Sequence, residues 1–293
     1  DIASQSVMAM MNDYKDQDTC GAVFHGLAKA GREFSPEALR WLLEKITTSP
    51  EYTYRSLATR NADYANPLHV AAGFGNVVAV QFFLEKAGIL EAEGSKTLWD
   101  EFYFPTSTGY YCKHGERSRY INIPHKGNET ALHKAARDGQ LEVVRLLIAA
   151  GIELDAPFLG HFGKSALDAA LEISARSRGI LEEYKRETVR ALINAGIKVS
   201  RPGSEVLHIA VKRGDLELLR MLLDAGATSL INVRQSGYPY RTPIEVAYER
   251  YGEVASQAAK AQFARIYDEL GARGAEISYC GCGPTSICCC GCT

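Results

Sequence analysis

The side chains in this 293-residue sequence whose types and spacing could do chemistry are its thiols and its imidazoles. Six of the 8 cysteines stand between positions 280 and 292: Cys280, Cys282, Cys288, Cys289, Cys290 and Cys292. The remaining ones are Cys20 and Cys112, so no disulfide framework staples the body of the chain. A C-x-C…C-C-C-x-C run can carry acyl thioesters, hold a soft metal ion as thiolates, or oxidise to disulfides. Four of the 7 histidines, His25, His69, His133 and His208, recur at wide intervals and invite a metal reading. Gly163-Lys164-Ser165 has the ending of a phosphate-binding loop, but the position that should hold the first glycine is Phe158. Cys112 and His114 are a weak signal for a thiol–imidazole pair. The sequence holds no G-x-S-x-G, H-E-x-x-H or kinase signature. Asn128-Glu129-Thr130 is a glycosylation sequon that matters only in a secreted chain, and Thr130 is more simply a helix cap.

The elements that carry these residues come in a repeat. Asn66-Pro67-Leu68-His69-Val70-Ala71-Ala72 returns as Thr130-Ala131-Leu132-His133-Lys134-Ala135-Ala136 and as Glu205-Val206-Leu207-His208-Ile209-Ala210-Val211. Looser copies start at Ala22, Ser165 and Thr242. Thr or Ser in the first slot caps a helix, and Pro in the next has its φ preset for the first turn. The Leu and Ala that follow share one helical face, where small Ala permits close stacking. A glycine ends each strong copy (Gly75, Gly139, Gly214). A second apolar-periodic helix follows, and Gly88, Gly151, Gly196, Gly226 and Gly271 are expected to close the second helices in left-handed conformation. All four histidines fall in the fourth slot, so their spacing is that of the repeat.

This pattern resembles the ankyrin-repeat family, with its T-P-L-H helix start and period of about 33 residues. The resemblance covers residues 20–277 as about six units starting near 20, 62, 126, 161, 203 and 238. It implies an all-α solenoid of helix–turn–helix units joined by hairpin-like loops, in which the fourth-slot imidazole bonds neighbouring backbone rather than metal. Partners in such a family bind along the concave face made by the loops and first helices. Chains this irregular also resemble host-directed effectors of intracellular microbes, by analogy alone.

The departures from the period carry the functional expectations. First-slot positions 22, 66, 130, 165, 205 and 242 leave one large excess, an insert at 91–124, and a smaller one within 172–190, read as elongated helices. The insert holds Trp99, Phe102, Tyr103, Phe104, Tyr110, Tyr111 and Tyr120 with Arg117 and Arg119. A second cluster, Arg234, Tyr238, Tyr240 and Arg241, sits where the last hairpin loop should be. Tyr, Trp and Arg dominate binding hot spots, so both clusters are expected to bind a partner protein. The alternative for the insert is that its aromatics fold back over the groove between units two and three. Terminal units are expected to be amphipathic caps, with Trp41 grouped among the apolar residues of the first. Residues 1–19 read as a loosely held leader.

Lys+Arg is 33 against Asp+Glu 35, a net charge of −2, so the basic excess of a general nucleic-acid binder is missing. No apolar run is long enough to span a membrane. The chain begins on Asp1, which reads as a processed chain or part of a longer one. The leading expectation is a monomeric, non-enzymatic protein-binding module without cofactor. It is cytoplasmic, with a tether to the membrane face through S-acylated Cys280, Cys282, Cys288, Cys289, Cys290 and Cys292 in the tail 278–293. Two alternatives stand beside it: a metal- or redox-responsive protein with a metal-thiolate tail, and the targeting part of a larger enzyme or effector.

Overall fold

The computed structural model describes residues 19–30, 33–47, 53, 56–61, 65–92, 120–124, 129–155, 164–171, 182–201, 203–236 and 240–276. Among these residues the regular structure is helical, and the helices come in pairs. The first body, Asp1–Ala195, holds α1 (Thr19–Lys29) with α2 (Pro36–Ile46), α3 (Pro67–Phe74) with α4 (Val77–Ala92), α5 (Ala131–Arg137) with α6 (Leu141–Ala149), and α7 (Ala166–Leu171) with α8 (Glu182–Asn194). The second body, Gly196–Thr293, holds α9 (Val206–Arg213) with α10 (Leu216–Asp224), and α11 (Pro243–Glu253) with α12 (Gln257–Ala272).

The first helices α3, α7 and α11 start as their sequences require. Asn66 Oδ1 accepts from His69 N at 3.1 Å. Thr242 and Glu245 form a capping box, with Thr242 N donating to the Glu245 carboxylate at 3.0 Å. Ser165 N donates to Asp168 Oδ2 at 2.8 Å, and Asp168 N returns a bond to Ser165 Oγ at 3.1 Å. The Leu and Ala slots are closed to solvent: Leu68, Ala71, Ala72, Leu132 and Ala135 are all 0% exposed. Small side chains there let α3 pack against α1 and α5, and α5 against α7.

The fourth-slot histidines join one pair to the next. His25 Nε2 donates to Thr59 O at 3.1 Å and His69 Nε2 to Glu129 O at 3.1 Å. His133 Nε2 donates to Lys164 O at 3.2 Å and His208 Nε2 to Arg241 O at 2.8 Å. A carbonyl only accepts, so each Nε2 carries a hydrogen. Among the described residues no group of three or more metal-ligating side chains is assembled. A second tie joins units one and two: Asn76 Nδ2 donates to Leu27 O (3.0 Å) and Ala28 O (3.2 Å) while its Oδ1 caps α4 through Ala79 N (3.0 Å).

Gly75 (φ 72), Gly139 (φ 68) and Gly214 (φ 72) end the first helices, and Gly151, Gly196 and Gly226 also take positive φ after second helices. Gly88 and Gly271 do not close theirs. α4 runs on to Ala92 because Leu90 continues its buried stripe, and α12 is closed by Gly274 (φ 91). There Ala275 N reaches back to Leu270 O at 3.0 Å. Trp41 is 43% exposed, with Lys45 Nζ 5.6 Å from its ring, so it lies on the outer face of the first unit while Leu39, Leu42 and Leu43 form its core. α8 has 13 residues, between the 9 of α6 and α10 and the 16 of α4 and α12, so the described part of unit four shows no special elongation. Residues 172–181 lie outside the described set.

Tyr120 belongs to the core. It is 1% exposed in a single 3-10 turn, and its hydroxyl donates to Leu57 O at 3.3 Å. Burial pushes its phenol far above the ordinary tyrosine range. Arg60 Nη1 donates to Pro124 O at 3.4 Å beside it. The returning end of the insert is therefore packed into the unit that precedes it, as the fold-back alternative requires for this aromatic.

Candidate functional site

Of the residues expected to bind a partner, Trp99, Phe102, Tyr103, Phe104, Tyr110, Tyr111, Arg117, Arg119 and Tyr238 lie outside the described residues. So do the tail cysteines Cys280, Cys282, Cys288, Cys289, Cys290 and Cys292. Arg234, Tyr240 and Arg241 are described, and they form one loop between α10 and α11.

That loop is pinned at several points. Gln235 N donates to Arg241 O at 2.9 Å, which closes the hairpin. Arg241 O also accepts from His208 Nε2, so the loop hangs from the first helix of its own pair. Arg234 Nη1 donates to Tyr240 O at 3.1 Å. Glu205 Oε1 accepts from Ser236 N (2.7 Å) and Ser236 Oγ (2.6 Å). At the base, Asn232 Oδ1 accepts from Glu276 N at 2.8 Å. Burial works against the Glu205 carboxylate, but the two Ser236 donors, with His208 and Lys212 nearby, bring its pKa below the ordinary value. Glu205 is therefore ionised near neutrality and holds the loop with charge-assisted bonds.

The fixed loop forces one residue into an unfavourable backbone conformation. Tyr240 has φ 55, which makes it the non-glycine residue with positive φ among those described. A bulky side chain there costs on the order of 1–2 kcal/mol and persists only where the surroundings over-determine it. The ring it carries is 54% exposed. Val233 (37%) and Tyr248 (54%) are also exposed along 233–248, and Arg241 Nε lies 4.0 Å from Glu249 Oε2. The arrangement presents the Tyr240 ring and the Arg234 side chain to solvent, while Arg241 is half-buried with its Nε closed to solvent. Tyr240→Gly is expected to raise stability by about 1 kcal/mol in urea unfolding, because glycine adopts this φ without strain. An unchanged or lowered midpoint would show that the backbone there is not strained.

Sequence reading missed Glu205, Ser236 and Asn232 as the residues that hold this loop. A signal existed: Glu205 fills a first slot that holds Asn66, Thr130, Ser165 and Thr242 in four of the other units, and its side chain reaches the next loop instead of capping α9.

Residues 127–157 and 202–235 match the family model described as "Ankyrin repeat". The chain is also similar to a rice (Oryza sativa subsp. japonica) protein named "Probable E3 ubiquitin-protein ligase XBOS33", with 25% identity over 234 residues. That alignment covers 76% of this chain and 41% of the rice protein, so the chain spans less than half of its relative's length. The two matched segments contain the third and fifth T-P-L-H-like starts, and the same capped helix and histidine bridge recur at the second. With paired helices, fourth-slot imidazoles bonded to the following loop and glycine-ended first helices, the described residues have an all-α ankyrin-repeat fold, and two segments of the chain match that family's model.

Proposed function

We propose that this chain is a non-enzymatic recognition module that binds a protein partner through Arg234, Tyr238, Tyr240 and Arg241 and, as a separate contact, through the insert residues 99–119. The observation that carries the reading is Tyr240, an exposed aromatic at positive φ whose carbonyl accepts from Arg234. Aromatic and Arg side chains of this kind are favoured at the centres of protein interfaces. The family's general use of its repeats in protein–protein contact supports the same reading. The tail cysteines are assigned as S-acylation sites that hold the module at a cytoplasmic membrane face; no described helix is long and apolar enough to cross a membrane. Hydroxylamine should release wild-type protein from the membrane fraction, and retention in the cytosol with free thiols would refute that assignment.

Partner capture tests the binding claim. The double variant Arg234→Ala/Tyr240→Ala and a chain lacking 95–122 should each bind a partner recovered with the intact chain about tenfold more weakly, with helix content unchanged. Equal binding by both would refute the surface. A second reading, favoured by the likeness to the rice ligase, is that the chain is the substrate-recognition part of a ubiquitin ligase whose catalytic part lies elsewhere. Ubiquitin transfer to the captured partner, seen only when that part is supplied, would establish it.

A further inference from the structure

The three histidine bridges of the first body share one geometry at Nε2 and differ at Nδ1. His133 Nδ1 accepts from Thr130 N at 3.2 Å and lies 2.9 Å from Thr130 Oγ1. A proton there would set N–H against N–H and break the helix start. His69 Nδ1 is 2.6 Å from Asn66 Oδ1, an oxygen already fixed as acceptor of His69 N. Asn66 Oδ1 has no hydrogen to give, so a proton on Nδ1 turns this contact into a charge-assisted bond. His25 Nδ1 is shut from solvent and has no partner. Protonating it places a charge on a nitrogen that no described residue bonds.

We infer that the ankyrin stack contains a proton-operated release of its first unit: acidification loosens α1 and α2 at the His25 bridge while the His69 bridge tightens. Of the charged groups on the elements packed against these rings, Arg60 follows the Thr59 whose carbonyl holds His25, and its Nη1 donates to Pro124 O. Arg40 bonds Glu44 and Glu85, Lys45 lies over Trp41, Lys86 over Phe82 and Lys29 over Phe74; Glu37 is exposed. On the far side of His69, Arg137 pairs with Glu129, while Lys134 stands on the same helix, α5. Next to His133, Asp168 accepts from Ser165.

The sign follows from linkage. Burial holds His25 below the ordinary histidine value. The unfolded unit therefore binds more protons, and stability present above about pH 6.5 is lost as pH falls. Detachment would uncover the face of α3 that α1 covers.

Imidazole titration by NMR of the full chain, with amide exchange on the same samples, tests this. His25, with its Nδ1 buried and unbonded, should titrate below His69, whose Nδ1 faces Asn66 Oδ1. Amides of Thr19–Ile46 should lose about tenfold protection, corrected for intrinsic rate, between about pH 7.5 and pH 5.5, while those of α5 and α6 keep theirs. His25→Gln, whose amide can still donate to Thr59 O, should abolish the response. His69 titrating at or below His25, unchanged protection of α1 and α2, or a response that survives His25→Gln would each overturn the inference. Should that variant fail to fold, the wild-type midpoints decide alone.

Discussion

Phe24→Ala is expected to destabilise the first unit by about 3–5 kcal/mol, as loss of a fully buried aromatic does. Phe24 is 0% exposed. Its ring packs edge-on to Phe82 at 6.4 Å and tilted against Phe83 at 5.4 Å, so α1 carries the plug that seals it onto α4. Neither Phe82 nor Phe83 can refill the space, because both are fully buried and in contact with each other at 6.0 Å. A repeat that cannot bury its own face depends on its neighbour, so this loss should remove α1 and α2 together. Amide exchange should show protection lost across Thr19–Ile46 and kept in α5 and α6. A uniform small loss throughout the first body would contradict that picture.

How much of this was legible in the sequence depends on which interaction sets each feature. The helix starts were readable because capping is local. Thr242 with Glu245 and Ser165 with Asp168 are four-residue motifs whose partners sit three positions apart. The role of the fourth-slot histidines came from the family resemblance, and the four imidazole–carbonyl bonds agree with it. Gly88 and Gly271 misled because glycine permits a left-handed turn without requiring one. The apolar stripe through Leu90 and the turn at Gly274 decided where those helices end. Tyr120 and Trp41 show the same limit from the other side. Both are aromatic in an apolar context, yet one is core and the other surface, since burial is fixed by the neighbours that packing brings. At the candidate site, Arg234 and Tyr240 were legible by composition. The Glu205–Ser236 bond that fixes their loop spans 31 residues and has no local signature.

His133→Ala has the second large effect and bears on the central claim, that the fourth-slot imidazole N–H groups of His25, His69, His133 and His208 each tie their unit to the loop that follows. His133 is 2% exposed. Alanine removes the donor to Lys164 O and the acceptor of Thr130 N, leaving a buried helix start unsatisfied at a cost of about 1–3 kcal/mol. His133→Gln supplies an amide N–H and a carbonyl oxygen in similar positions, without any capacity to bind metal as an imidazole does. The most direct measurement is urea unfolding of wild type, His133→Ala and His133→Gln side by side at neutral pH, with bound metal quantified in each. The account predicts a loss of about 1–3 kcal/mol for alanine, recovery of most of it with glutamine, and no stoichiometric metal in any of the three. Alanine as stable as wild type, or glutamine no better than alanine together with metal bound only by the wild type, would contradict it.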